Sequence, residues 1–209
     1  GVRLLYDSCN AWARGSFYAY SPAIQGGEMI IRTPYNRALR AILLALCLSG
    51  CFATLALAAP ANPDGVAVII GNRAYQGGLP PVDFAHNDAD AMKRFVVESL
   101  GYREGNVIDL RDATQAQMYA AFGNRETHKG KLWRYLNPKG TSDIVVFYSG
   151  HGVPGQNDRR GYLLPVNADP DQAEINGYPV DLLYRNLGKL KARSKTVLLD
   201  ACFSGDSPK

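Results

Sequence analysis

The stretches DIVVFYSGHG, residues 143–152, and KTVLLDACFSG, residues 195–205, decide the fold. Each holds a short apolar run that is followed by glycine and polar residues, a pattern that predicts a strand. Strands of this kind form parallel sheets, whose ligand sites lie beyond the carboxyl ends of the strands. His151 and Cys202, 51 positions apart, therefore both fall on the edge of the sheet where a site is expected.

The rest of the chain alternates similar runs with helical patterns. Strands are predicted at 66–70, 107–110, 143–148, 161–165 and 195–200. Helices are predicted from a cap at Asn87 or Asp88 to about Leu100, from a cap at Thr114 through Phe122 and less regularly to Leu136, and from a cap at Asp181 to Leu190. This alternation predicts an α/β fold with a mostly parallel central sheet.

Composition and charge narrow the class of protein. The chain has 209 residues, with 46% hydrophobic and 20% charged residues, which fits one ordinary domain plus extra segments and excludes collagen, coiled coils and bulk disorder. The formal charge is +4, but from Asn62 onward 18 lysines and arginines stand against 17 aspartates and glutamates. The folded part therefore gives no support for nucleic-acid binding.

The N-terminal region predicts export. Met29, the first methionine, precedes three arginines and the apolar, small-residue run 41–57, and small residues at 56–58 and 59–61 fit signal-peptidase cleavage. Residues 29–61 are therefore predicted to be a signal peptide, 1–28 an upstream non-native segment, and 62–209 the folded domain. A retained anchor and a genuine N-terminal extension are the alternatives. The protein is expected to be periplasmic or secreted, with a lipid anchor at Cys51 as an alternative, because residues 48–51 resemble a lipobox.

If the signal peptide is cleaved after Ala58, the mature protein keeps one of the four cysteines of the chain. Cys9, Cys47 and Cys51 all precede that point, so the mature domain would hold only Cys202 and no internal disulfide. A buried core cysteine is one interpretation. The glycine-flanked histidine after one strand and the small residues around Cys202 after another favour a nucleophile and its base instead.

A cysteine attacks a carbonyl as its thiolate, and imidazole is the usual base that produces it. The nucleophile must lie on a tight, exposed turn, which Ala201, Ser204 and Gly205 permit. Backbone N–H groups must also meet the developing oxyanion, and Gly152 and Cys202 are the predicted donors.

The two motifs resemble the catalytic signatures of caspase-like cysteine peptidases. SGHG at 149–152 and DACFSG at 200–205 match the segments of the base and of the nucleophile. VIIGN at 68–72, HNDA at 86–89 and GYLLP at 161–165 resemble structural segments of the family, in the expected order. The resemblance spans about residues 65–209 and implies a caspase-like three-layer sandwich. It also implies a smaller C-terminal portion, so the chain is expected to be a fragment with that part missing, and the fragment alone is not expected to be a competent peptidase.

Within the family, the chain resembles metacaspases and their bacterial relatives. Asp200, two residues before the nucleophile, and Asp88 of the Asn-Asp motif match the carboxylates that line a pocket for arginine or lysine in these enzymes. A carboxylate pair is unfavourable alone and favourable once a cationic side chain enters. The alternative for Asp88 is a helix N-cap.

No cofactor is required by a Cys–His dyad. Calcium activates many metacaspases but is left unassigned, because Asp158, Asp169, Asp171 and Asp181 match no defined calcium loop. The three histidines form no zinc pattern. The expected partner is a protein or peptide substrate, with membrane contact only through the signal or a lipid, and no oligomeric state is predicted.

Two functions from different classes remain. The first is a cysteine endopeptidase that cleaves after Arg or Lys; the alternative is a caspase-fold module that binds or scaffolds partners without turnover. Arg159-Arg160 is either a self-processing site or solvated charge.

Overall fold

The computed structural model describes residues 3–5, 61–76 and 78–202. All of them belong to one compact unit, formed by Gly1–Cys9 and Ala59–Lys209. The predicted signal, apart from Ala61, and the lipobox lie outside the described residues. In the part of the chain that is described, no helix is long and apolar enough to cross a bilayer.

Strands and helices alternate along the described chain. The strands are β1 (Arg3–Leu5), β2 (Val66–Gly71), β3 (Val107–Arg111), β4 (Asp143–Ser149), β5 (Gly152–Pro154), β6 (Gly161–Leu163), β7 (Tyr178–Pro179) and β8 (Ser194–Asp200). The α-helices are α1 (Ala85–Arg94), which continues as a π-helical turn (Phe95–Ser99), α2 (Gln115–Phe122), α3 (Lys131–Tyr135), α4 (Ala173–Asn176) and α5 (Val180–Gly188). Short 3-10 turns occupy Glu104–Asn106 and Pro170–Gln172.

The central sheet is parallel throughout, in the order β1-β8-β4-β2-β3. This confirms the predicted α/β fold with a mostly parallel sheet. The predicted strand at 161–165 is shorter and lies elsewhere, because β6 pairs antiparallel with β5 and β7 in a separate small sheet. Neither β5 nor β7 was predicted, since strands of three and two residues are too short to show a pattern.

Helices cover both faces of the central sheet, which confirms the three-layer arrangement. Alternate residues of a strand face opposite sides: Val68 and Ile70 pack with α2, α3 and α5, whereas Ala67 and Ile69 pack with α1. Each fully buried aliphatic side chain contributes roughly 1.5–3 kcal/mol. Burial on both sides is why β2 has no polar side chain along its length.

The predicted start of α2 agrees with the structure, whereas the predicted start of α1 does not. The capping box at Thr114 confirms the predicted start of α2, since its hydroxyl accepts from the Gln117 N–H. The predicted cap of α1 is wrong: α1 begins at Ala85, so Asn87 and Asp88 lie inside its first turn. The cause is close docking on β2, because a Cβ at Gly71 would lie 2.5 Å from the Ala85 carbonyl oxygen.

The predicted cap of α5 is also wrong: it lies two residues after the observed cap, Pro179. The helix begins at Val180, directly after β7, and Asp181 lies in its first turn. Pairing of Pro179 with Tyr162 fixes where the chain leaves the small sheet. Asp181 still favours the helix there, because a carboxylate interacts well with a helix N-terminus.

Candidate active site at the carboxyl edge of the sheet

His151 and Cys202 leave neighbouring strands at the same level. The parallel register of β4 and β8 pairs Ser149 with Asp200, and each candidate residue lies two positions beyond that pair. The Gly150 N–H donates to the Asp200 carbonyl at 3.1 Å, which extends the pairing one step further. Cys202 is exposed there. The sheet thus carries both predicted residues to one edge.

A main-chain carbonyl fixes the imidazole of His151. Its Nε2 lies 2.8 Å from the Pro80 oxygen. Because a carbonyl only accepts, Nε2 carries the proton, and Nδ1 is left as the basic atom of the neutral ring. The Tyr75 ring packs against the imidazole, with centroids 4.7 Å apart and planes tilted by 55°.

Side chains also hold the main chain of His151. Its N–H donates to the Tyr75 hydroxyl at 2.7 Å, and its carbonyl accepts from the Tyr148 hydroxyl at 2.7 Å. The two hydroxyls lie 3.2 Å apart. A Cβ at Gly150 would come within 2.5 Å of the Tyr75 hydroxyl, so only glycine fits before the histidine.

The loop after β2 carries both Tyr75 and Pro80 and is anchored at its base. Buried Asn72 donates to the Leu164 carbonyl at 3.0 Å and accepts from the Ala113 N–H at 2.8 Å. The Asp112 carboxylate accepts from the N–H groups of residues 73 and 74. Burial alone would raise the pKa of Asp112, but these bonds and the contact with His86 at 3.2 Å together outweigh it and lower the pKa. The anchors give the His151 contacts a rigid support.

Two carboxylates and a serine cluster beside the strand ends. The hydroxyl of Ser149, which is fully buried, donates to the Asp200 carboxylate at 3.3 Å. Burial raises the pKa of Asp88, the negative charge of Asp200 raises it further, and a hydrogen bond from Ser149 opposes both. Asp88 and Asp200, 112 positions apart in the sequence, therefore share one electrostatic environment.

The N–H of Gly152 points away from its strand pairing. The Leu164 N–H donates to the His151 carbonyl at 3.0 Å, which makes those two residues a hydrogen-bonded pair. Pairs alternate along an antiparallel ladder, so Gly152 and Leu163, the next pair, are not hydrogen-bonded to each other. The Gly152 N–H therefore takes no part in the β5–β6 pairing, and it lies one residue from the imidazole in the sequence.

The acidic loop residues are not brought together. Asp158 accepts from the Tyr162 hydroxyl, Asp169 caps a 3-10 turn, and Asp181 lies 3.6 Å from Arg160. Within residues 3–5, 61–76 and 78–202, no group of three or more His, Cys, Asp or Glu side chains is placed to hold a metal ion.

Sequence reasoning missed three residues of this site. Ser149 could have been found, because counting back along two parallel strands of equal length pairs it with Asp200. Tyr75 and Pro80 lie in an irregular loop, and Pro80 acts through its main-chain carbonyl, which leaves no side-chain signal.

The fold and this edge define an α/β protein in which an imidazole and an exposed thiol leave adjacent parallel strands. A family model described as the caspase domain matches residues 64–209. The chain belongs to the caspase-domain family. No curated protein matches it. Caspase-domain proteins are cysteine peptidases, so membership supports a hydrolase of the peptidase type, with protein substrates.

Proposed function

We propose that the protein is a cysteine endopeptidase that cleaves after arginine or lysine. Cys202 is the nucleophile and His151 its base, while Asp88 and Asp200 receive the substrate's cationic side chain. The observation that carries the proposal is the pair of carboxylates beside the strand ends from which the thiol and the imidazole emerge.

Peptide cleavage would proceed by acyl transfer. The Cys202 thiol gives its proton to Nδ1 of His151, and its sulfur attacks the scissile carbonyl. The leaving amine takes that proton, and the C–N bond breaks to leave a thioester. Water then attacks the thioester, returns a proton to sulfur through the imidazole and releases the acid. The Pro80 carbonyl supports this role, because it holds the proton on Nε2 and keeps Nδ1 basic.

The oxyanion formed in each step needs preorganised donors. The N–H of Gly152, which takes no part in the β5–β6 pairing, is one candidate, and the N–H of Cys202 is the second. A glycine at this position leaves space for the substrate carbonyl. Loss of one such donor typically lowers kcat by about 100- to 1000-fold.

The acidic cluster favours a cation by a margin large enough to set specificity. Two unit charges 4 Å apart interact by about 4 kcal/mol at an effective dielectric constant of 20, near a protein surface. Burial raises the pKa of Asp88, and the negative charge of Asp200 raises it further. Arginine or lysine relieves the repulsion between the two charges, whereas an aspartate substrate would add to it.

Export and calcium dependence are further parts of the proposal. The arginines and the apolar run of residues 29–61 support export, and mass spectrometry of the protein recovered from cell fractions tests it. Calcium is proposed only as a possible activator to be added in the assay, since no ligand set is assigned.

The test is hydrolysis of matched fluorogenic peptides that end in Arg, Lys or Asp, with and without calcium. We expect turnover of the Arg and Lys peptides, and loss of that turnover in Cys202→Ala and in His151→Ala. Cys47→Ala is the matched control, because it removes a thiol from the predicted signal and should leave turnover unchanged.

Two results would contradict the proposal. Turnover that persists in Cys202→Ala would show that Cys202 is not the nucleophile. Turnover of the Asp peptide alone would keep the nucleophile and exclude the acidic pocket. A folded, inactive chain would instead favour the binding-module alternative.

A further inference from the structure

We propose that Tyr75 is a positioning residue for His151, which keeps the imidazole in the orientation that places Nε2 at the Pro80 carbonyl and thereby keeps one tautomer. The proposal rests on the proposed function, because a positioned imidazole matters only if His151 serves as the base. Tyr75 contacts the histidine twice, through its hydroxyl on the main chain and through its ring on the imidazole.

The Tyr75 hydroxyl replaces a main-chain hydrogen bond. Beyond Gly152, the next bonded pair of the β5–β6 ladder is His151 and Leu164, which would exchange two bonds. One is made, from the Leu164 N–H to the His151 carbonyl. The His151 N–H instead donates to Tyr75, and the Leu164 carbonyl, which lies 2.9 Å from the Tyr148 hydroxyl, accepts from the Asn72 amide. The hydroxyls of Tyr75 and Tyr148 therefore take the place of the second hydrogen bond of this pair, and His151 is not part of strand β5.

The number of protons available determines which hydroxyl donates in the Tyr75–Tyr148 hydrogen bond. The Tyr148 hydroxyl lies 2.7 and 2.9 Å from the carbonyls of His151 and Leu164, which only accept. Its single proton therefore goes to a carbonyl, and Tyr75 donates to the Tyr148 oxygen. Burial raises the pKa of both phenols, so both keep their protons at neutral pH. Bonds in such a chain strengthen one another.

The glycine before His151 is an independent sign of this arrangement. A Cβ at Gly150 would lie 2.5 Å from the Tyr75 hydroxyl and 2.8 Å from the Tyr148 hydroxyl. Any larger residue would push the phenols away from the main chain of His151. The sequence thus leaves space for the two hydroxyls at that point.

Together, the loop contacts restrain every part of the histidine. The Pro80 carbonyl holds the edge of the ring at Nε2, the Tyr75 ring contacts the imidazole, and the two hydroxyls hold the main chain. A base displaced by about 1 Å can cost on the order of 100-fold in rate. Loss of the Tyr75 hydroxyl removes the main-chain restraint and keeps the ring.

The test compares Tyr75→Phe with Tyr178→Phe in the full chain. The control removes a buried hydroxyl that donates to the Gly123 carbonyl at 3.0 Å, in the core. For Tyr75→Phe we expect kcat per folded molecule to fall roughly 10- to 100-fold. KM for the Arg peptide should stay within about 2-fold, since the acidic cluster is untouched. The control should change neither.

A second readout is independent of turnover. A long-range proton–nitrogen NMR spectrum, with the His151 signal assigned through its loss in His151→Gln, reports which ring nitrogen carries the proton. We expect the Nε2–H tautomer alone in the wild type and a mixture of tautomers in Tyr75→Phe. A single tautomer in Tyr75→Phe, or an unchanged kcat, would overturn the role of Tyr75. If the wild type cleaves no peptide, the proposed function fails, and the spectrum still decides the positioning role.

Discussion

The two ends of the β4–β8 pair each hold an aspartate beside a serine, but the two aspartates differ in their charged neighbours. At the start of the strands Asp143 pairs with Ser194, and at their end Ser149 pairs with Asp200. Each end thus sets one serine beside one carboxylate. The difference lies in what else the chain supplies there.

At the first end, the chain itself supplies every partner of the carboxylate. The Asp143 carboxylate accepts from the guanidinium of Arg193, from the Ser194 hydroxyl at 2.6 Å and from the Asn62 amide at 2.8 Å. These bonds, those of Arg193 above all, hold the pKa of Asp143 well below its usual range against the effect of burial. Here the chain provides its own cation, and the carboxylate serves stability.

The second end lacks that cation. Among the residues that the structure describes, no lysine or arginine forms an ion pair with Asp88 or Asp200. The pKa of Asp88 is raised where that of Asp143 is lowered. The comparison teaches that a carboxylate pair without its own counter-charge suits a cationic ligand, while a neutralised one builds the fold.

The largest expected effect is on activity at the second end. In Asp200→Asn, the pocket loses one charge, so kcat/KM for the Arg peptide should fall about 100-fold, since a charge-assisted hydrogen bond is worth roughly 1.5–3 kcal/mol. Steady-state kinetics measure it. Equal losses of kcat/KM on the Arg peptide and on a peptide with a neutral residue at the same position would contradict a role for Asp200 in binding the cationic side chain.

The matched change at the first end should act on stability. Asp143→Asn removes the charge that Arg193 neutralises, and we expect a loss of about 1–3 kcal/mol in the free energy of unfolding. Urea denaturation measures it. Peptide specificity should stay the same, because Asp143 lies at the opposite end of the strand; a change in the ratio of Arg to neutral peptide cleavage would contradict this.

A smaller effect is expected for the serine between the carboxylates. Ser149→Ala removes the donor to Asp200 and leaves the buried volume nearly unchanged. One neutral donor is worth about 1 kcal/mol, so kcat/KM for the Arg peptide should fall roughly 5- to 10-fold. Ser142→Ala, at another buried serine far from the edge, is the control for loss of a buried hydroxyl.

Much of this edge could be predicted from the sequence, because strand ends are easy to locate. Apolar runs fix where β4 and β8 stop, and a parallel sheet brings their ends together. The positions of His151 and Cys202 at one edge follow from that. The proximity of Asp88 does not follow, since it depends on how α1 docks against Gly71, a contact between elements with no local signal.

The restraints on His151 could not be predicted for a related reason. Tyr75 and Pro80 lie in a loop whose path is set by Asn72 and Asp112, through bonds to distant main-chain groups. Main-chain donors and acceptors exist at nearly every residue, so the sequence does not mark which ones are used. The cap of α1 failed similarly, because sheet packing outweighed a cap worth about 1 kcal/mol.

The smallest effect concerns the pH dependence of stability at the two ends. The pKa of Asp88 is raised above 3.8 in the folded protein, so the folded state binds a proton more readily than the unfolded state, and the ionised group opposes folding at neutral pH. Asp88→Asn should therefore stabilise the neutral protein, by less than ~1 kcal/mol because the carboxylate is partly exposed and screened.

That gain should shrink as the pH falls through the raised pKa of Asp88 and vanish below 3.8, where the wild-type carboxyl is protonated in both states. Asp143→Asn shows the opposite sign. The lowered pKa of Asp143 stabilises the wild type above 3.8, and that stability is lost only as the pH falls through the lower folded value. Thermal unfolding of both variants across this range measures the difference. Two curves that depart from the wild type in the same direction at neutral pH would mean that both ends are neutralised alike, and the second end would then have no need of a ligand's cation.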